Sequence, residues 1–182
     1  EPNWKEIENI AEQYNQYKNL VIIGHGGSIT SFYGMYHALR EESTKQVFVL
    51  STIDPDYITE LKSSLTPDDT LVIAISKSGE TITQIEALLQ FQEFPMLFIT
   101  GAAGPLADLA EHFSAKHIMH PPISGRYTGL TEVALIPTAL CGLDIKAMYN
   151  AAKQQYEKFS STNDASNAAS VMYQLEEQGI VD

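Results

Sequence analysis

The chain has 182 residues, 44% hydrophobic and 19% charged, with 11 Lys and Arg against 23 Asp and Glu and a formal charge of −12. That is the composition of a globular chain with about one ordinary domain's worth of core. The acidic balance argues against nucleic acid or an anionic membrane as main partner, because both need a basic face, but backbone amides and one Lys suffice for a small anion.

The chain begins at Glu1 rather than Met, as a processed product or a piece of a longer chain would. An amphipathic stretch from Trp4 to Tyr17 predicts a helix packed on a sheet. Five β-rich runs follow, at Leu20–Gly24, Gln46–Ser51, Thr70–Ser76, Pro95–Thr100 and Ala115–His120. They are nearly unbroken apolar stretches, the pattern of parallel strands buried on both faces. Helical patterns at Ile29–Arg40, Tyr57–Ser64, Thr81–Gln92 and Leu106–Phe113 alternate with them. This predicts an α/β fold: a three-layer α-β-α sandwich around a five-stranded parallel sheet of flavodoxin-like order 2-1-3-4-5. After the fifth strand the pattern is wholly helical. Leu130–Leu140 should be buried, with Pro137 kinking it or ending its first part. Asp144–Phe159 and Ala165–Gln178 predict two further helices, separated by a cap-rich break at Ser160–Asp164. Residues 1–159 are thus expected to form the ligand-binding domain, and 160–182 a linker and helix.

Two strand ends carry the chemistry. Gly24-His25-Gly26-Gly27-Ser28 follows the first strand. It lacks the third Gly of a dinucleotide fingerprint and the Gly-Lys-Ser/Thr of a P-loop. It reads either as a turn whose amides approach a ligand or as a tight strand-to-helix turn with Ser28 as N-cap. Ser76-Lys77-Ser78-Gly79-Glu80-Thr81 follows the third strand. Ser76, Ser78 and Thr81 offer three hydroxyls and Lys77 a compact positive charge, a donor set suited to a phosphate dianion. Its bland alternative is a solvated turn with Thr81 capping a helix. With order 2-1-3-4-5, both loops leave the sheet at the switch point, where ligands bind in open α/β sheets. Arg126, in Gly125-Arg126-Tyr127-Thr128, is either an oxyanion partner or a surface cap. Cys141 lies in an apolar run and reads as a buried, inert thiol, consistent with a reducing compartment such as the cytoplasm. His25 could point at a ligand. His37, His112, His117 and His120 show no metal spacing and read as structural or solvated.

Three segments, GHGGS, ISKSGETIT and SGRYTGLTEVALIPTALCGLDI, resemble in order and spacing the phosphoglucose isomerase family within the wider sugar-isomerase (SIS) fold. The resemblance covers roughly residues 20–145. It implies an aldose–ketose isomerase of carbohydrate metabolism (glycolysis and gluconeogenesis) that interconverts glucose 6-phosphate and fructose 6-phosphate through a cis-enediol, without metal or cofactor. It implies that Ser76, Lys77, Ser78 and Thr81 hold the phosphate and that Gly27 and Ser28 line the sugar. Arg126 would stabilise the enediol, so that its loss lowers turnover more than binding. Two positions depart from the family pattern: Thr83 stands where an acidic residue is frequent, and His25 where small apolar residues are usual. In the family the general base is a Glu of a second, similar domain, a His comes from a neighbouring subunit, and a late Lys takes part. No segment here matches those regions. The resemblance therefore implies a hexose 6-phosphate as ligand, with a second SIS domain of a parent chain and a homodimer in the full-length protein. The chain alone is expected to bind a sugar phosphate without turning it over. The alternatives are another SIS-domain sugar-phosphate isomerase with its base in this chain, Glu80 being a candidate, or a non-catalytic sugar-phosphate sensor.

Overall fold

The computed structural model describes residues 1–158 and 163–180. The chain divides into two compact units, Glu1–Leu143 and Asp144–Asp182. The first holds a five-stranded sheet, β1 (Asn19–Gly24), β2 (Gln46–Leu50), β3 (Thr70–Ser76), β4 (Met96–Thr100) and β5 (Lys116–Met119). The order is β2-β1-β3-β4-β5 and every pairing is parallel, as the apolar runs predicted.

Six helices cover the sheet: α1 (Trp4–Gln13), α2 (Gly27–Leu39), α3 (Pro55–Ser63), α4 (Ile82–Leu89), α5 (Pro105–His112) and α6 (Glu132–Leu140). Alternation along the strands sorts the core into two layers. Val21, Ile23, Val72, Ala74, Met96 and Phe98 share one cluster with Ile58 and Leu61 of α3, Leu88 of α4 and Leu106 of α5. On the opposite face α2 packs on α6 and against β3, and α1 packs on α6. The central strand β3 is buried along its whole length, which is why its sequence shows no polar alternation.

Local chemistry sets the helix ends. Asn3 accepts from the Glu6 amide to start α1, and Asp54 accepts from the Asp56 and Tyr57 amides at 3.0 and 3.1 Å to start α3 before Pro55. Gly104, at φ +107°, turns the chain into Pro105 and α5. α6 starts two residues later than the apolar run suggested. A 3₁₀ turn over Gly125–Tyr127 and the N-cap Thr131 occupy the preceding stretch, and Leu130 is 39% exposed. Pro137 does not end α6. The helix continues because seven of its nine residues are buried, and the Thr138 hydroxyl donates to the Ala134 carbonyl at 2.7 Å.

The second unit contains α7 (Ile145–Glu157), capped by Asp144, and α8 (Asp164–Glu177), capped by Asn163. Of the predicted break, Ser160–Thr162 lie outside the described residues, as does Phe159 at the end of the predicted seventh helix. Among the described residues no helix is long and apolar enough to cross a membrane.

Cys141 is fully buried at the end of α6, and burial pushes its thiol up to about 12. The thiolate is the reacting form, so iodoacetamide at pH 8 should leave the native chain unmodified and alkylate it fully in guanidinium. Mass spectrometry separates the two outcomes, and native labelling at the rate of a free thiol would contradict this packing.

Candidate functional site

β1 and β3 are neighbours, paired from Asn19 with Thr70 to Gly24 with Ile75. Their outgoing loops therefore leave the same end of the sheet side by side. The sheet turns in opposite chain directions from this point, β2 lying beyond β1 and β4 beyond β3.

In the first loop the helix cap is Gly26, not Ser28. Gly26 adopts φ +52°, a conformation open to a residue without Cβ, and Ser28 is the second residue of α2. Its amide donates to the His25 carbonyl at 3.3 Å. His25 keeps one buried ring nitrogen, Nδ1, with no protein partner among the described residues.

The second loop is braced from within and from behind. The Ser76 hydroxyl accepts from the Gly79 amide and the Ser78 hydroxyl from the Glu80 amide, both at 3.2 Å. Each hydroxyl keeps its own O–H to donate. Gly79, at φ +69°, has its carbonyl bonded by the Leu106 amide at 3.1 Å, which ties the loop to the start of α5. Thr81 occupies the N-cap position of α4, but its side chain makes no capping bond. Ser76 is buried, whereas Lys77 and Ser78 are exposed.

Arg126 reaches the first loop through a backbone contact between two glycines. A Cβ on Gly27 would lie 2.7 Å from the Arg126 nitrogen, and one on Gly125 would lie 2.7 Å from the Gly27 carbonyl carbon. No other residue type permits this approach of the Arg126 turn to the first turn of α2. The Thr128 hydroxyl, donating to the Gly125 carbonyl at 2.6 Å, closes the turn. The result is an open groove lined by Gly26, Gly27, Ser28, Ser31, Ser124 and Arg126.

Three of the sequence-derived residues, Gly27, Ser28 and Arg126, thus meet in one groove. Ser76, Lys77, Ser78 and Thr81 do not line it; they form the adjoining loop on the neighbouring strand. Neither Lys77 nor Arg126 forms an ion pair among the described residues, although the chain carries a large acidic excess. Among the described residues no cluster of His, Cys, Asp and Glu suits a metal ion.

Two acids near the motifs differ in kind. Glu132 is the first residue of α6, and its carboxylate accepts from the Asn3 amide at 2.9 Å, which ties it to the start of α1. Glu80 is exposed and precedes the α4 cap. Gly125 carries no signal in the sequence beyond standing directly before Arg126. His120 reads from the sequence as structural or solvated. This residue is 4% exposed, with Nε2 lacking a partner among the described residues, and a lone His carries no periodic signal that could have marked it.

The Gly27–Gly125 contact should be intolerant of a methyl group. Gly125→Ala is expected to destabilise the chain by about 1–3 kcal/mol in urea melts, because the obstacle is backbone that has nowhere to move. Gly34, inside α2 with nothing near a prospective Cβ, should instead gain roughly 0.5–1 kcal/mol on replacement by Ala. Equal responses at the two positions would contradict the contact.

The family described as phosphoglucose isomerase matches residues 6–117, more than half of the chain. A glucose-6-phosphate isomerase of Carboxydothermus hydrogenoformans is 28% identical over 188 residues, covering 90% of this chain and 40% of its own length. Among solved structures, a hypothetical protein of Thermus thermophilus superposes with a TM-score of 0.75 at 29% identity, covering 84% of this chain and 40% of that one. A glucose-6-phosphate isomerase of Chlamydia trachomatis gives 0.66 at 25% identity, covering 80% of this chain and 31% of that one. The chain thus spans between 32% and 40% of the length of the curated relatives it matches. With the sheet order and the family match in agreement, the chain belongs to the phosphoglucose isomerase family.

Proposed function

We propose that this chain supplies the phosphate- and sugar-binding half of an aldose–ketose isomerase acting on glucose 6-phosphate and fructose 6-phosphate. The observation that carries the reading is the side-by-side placement of the two loops, with neither Lys77 nor Arg126 in an ion pair among the described residues. A cation left without a carboxylate partner in so acidic a chain is available to an anionic ligand. Family membership and the names of the relatives support a sugar phosphate as the substrate.

Ser76, Lys77, Ser78 and Thr81 hold the phosphate through hydroxyl donors and one ammonium. Gly27 and Ser28 line the sugar, beside the Gly125–Arg126 turn that occupies the space a side chain on Gly27 would need. Arg126 stabilises negative charge on the enediol oxygens. A guanidinium carried on the held Gly125–Thr128 turn acts more strongly on that charge than on neutral sugar, so it contributes to the transition state rather than to ground-state binding.

Moving a proton between C1 and C2 requires a base near neutral pKa held over the open-chain sugar. Glu132 is engaged by the Asn3 amide, and Glu80 faces solvent outside the groove. The resemblance to the family implies that the base is supplied by a second domain, in a homodimeric, cytoplasmic enzyme of carbohydrate metabolism. The chain alone binds a hexose 6-phosphate and does not isomerise it.

Calorimetric titration with glucose 6-phosphate should give saturable binding that Lys77→Ala weakens about tenfold, as loss of a charge-assisted contact would. A dehydrogenase-coupled assay of the same preparation should give no conversion. Absent binding would refute the phosphate loop, and clear turnover would show that the base lies within these residues. In a catalytically complete enzyme carrying this segment, Arg126→Ala should lower kcat by about 10²-fold or more with little change in KM. A rise in KM alone would remove Arg126 from its role.

A further inference from the structure

The carboxyl ends of β3, β4 and β5 end in one row, Ser76 paired with Thr100 and Thr100 with Met119. The His120 amide donates to the Thr100 carbonyl at 2.8 Å and carries the ladder one residue further. The next row is therefore Lys77, Gly101 and His120. Adjacent strands lie about 4.8 Å apart, so the two outer backbones are separated by roughly 10 Å, a gap that a Lys and a His side chain bridge together. The residue between them is a glycine. A Cβ on Gly101 would lie 2.9 Å from the Lys77 carbonyl oxygen, so the middle of the row carries no side chain.

The chemistry of His120 is fixed by its surroundings. Its Nδ1 lies 2.7 Å from the Pro121 carbonyl oxygen, and a carbonyl only accepts, so Nδ1 carries the hydrogen. Burial, with a smaller contribution from the positive charge of Lys77 and against the Pro121 bond, holds the imidazole below its usual range, so that the ring is neutral at pH 8. A neutral ring protonated on Nδ1 presents a lone pair on Nε2. That atom is buried and finds no donor among the described residues, at a cost a native structure seldom accepts without a reason. Across the side-chain-free gap stands Lys77, an exposed ammonium with three donors and no ion-pair partner among the described residues.

We propose that His120 is a positioning residue of the phosphate site: its Nε2 accepts one hydrogen bond from the Lys77 ammonium and aims the remaining two donors at the phosphate ester. The proposal rests on the Ser76–Thr81 loop being the phosphate site. Lysine otherwise loses side-chain entropy on binding, and an acceptor at a fixed distance restricts the rotamers it samples. A neutral acceptor suits this better than a carboxylate, which would neutralise the charge meant for the ligand.

Two substitutions separate this role from a structural one. His120→Asn keeps a donor where Nδ1 stood and deletes the acceptor; His120→Gln places an amide oxygen near the former Nε2 and gives up the bond to Pro121. In calorimetry with glucose 6-phosphate at pH 8, His120→Asn is expected to bind about tenfold more weakly, and His120→Gln within about threefold of the parent chain. In a Lys77→Ala background His120→Asn should have no further effect. Nitrogen NMR of the unsubstituted chain provides a test that survives a variant's failure to fold. The Nε2 resonance of His120 should move from that of a free lone pair to that of a hydrogen-bonded one as glucose 6-phosphate is added. An unmoved resonance, parent-like binding by His120→Asn, or a loss that persists without Lys77 overturns the proposal. If Lys77→Ala weakens binding while His120→Asn does not, the phosphate loop stands and only His120 falls. If the parent chain itself fails to bind, both fall.

Discussion

Because β3 pairs with β1 and not with β2, no strand separates the loops that follow them, and the two loops share one end of the sheet. Everything else at the site is built on that adjacency. A parallel strand needs a crossover, and here α2 carries the chain out to β2 and α3 brings it back to β3. Both loops therefore sit at carboxyl ends, each ahead of a helix, α2 after the first and α4 after the second. The burial of β3 along its full length makes this frame rigid, since sliding it would expose seven buried residues.

On this frame the loops are held by close backbone approaches. Gly27 against Gly125 brings in the Arg126 turn, Gly101 lets the Lys77 carbonyl approach β4's exit, and Gly104 does the same for Ser78. At each point a methyl group would push backbone against backbone. The site is thus positioned by the absence of side chains at the contacts and by hydroxyl-to-amide bonds inside the Ser76–Thr81 loop. Such contacts tolerate little displacement, which is what a phosphate cradle and an oxyanion partner both require.

Legibility differed sharply between fold and site. The runs VII, VFVL, LVIAI and MLFI placed their strands to within a residue at each end; β1, β3 and β4 are buried on both faces and have no polar register to obscure them, and VFVL marks the partly buried edge strand β2 by its unbroken apolar run alone. Helix starts were less legible where a cap was a glycine. Of the two readings of the first loop, the one with Ser28 as cap of α2 fails, because the turn at Gly26 needs a positive φ and involves no side-chain oxygen. Leu130 read as buried because the apolar run continued into it; the 3₁₀ turn before α6 left it outside the core. Pro137 read as an interruption, and burial of the residues around it kept the helix whole.

Local composition and period suffice for the parallel sheet, the two donor-rich loops and the charged residues beside them. They do not determine which backbone segments touch. The reciprocal contact of Gly27 with Gly125 joins residues far apart in the chain, and the row of Lys77, Gly101 and His120 crosses three strands. Only tertiary structure decided these, because a close approach depends on what lies opposite in space, and a glycine's missing side chain leaves nothing in the sequence to say what it makes room for.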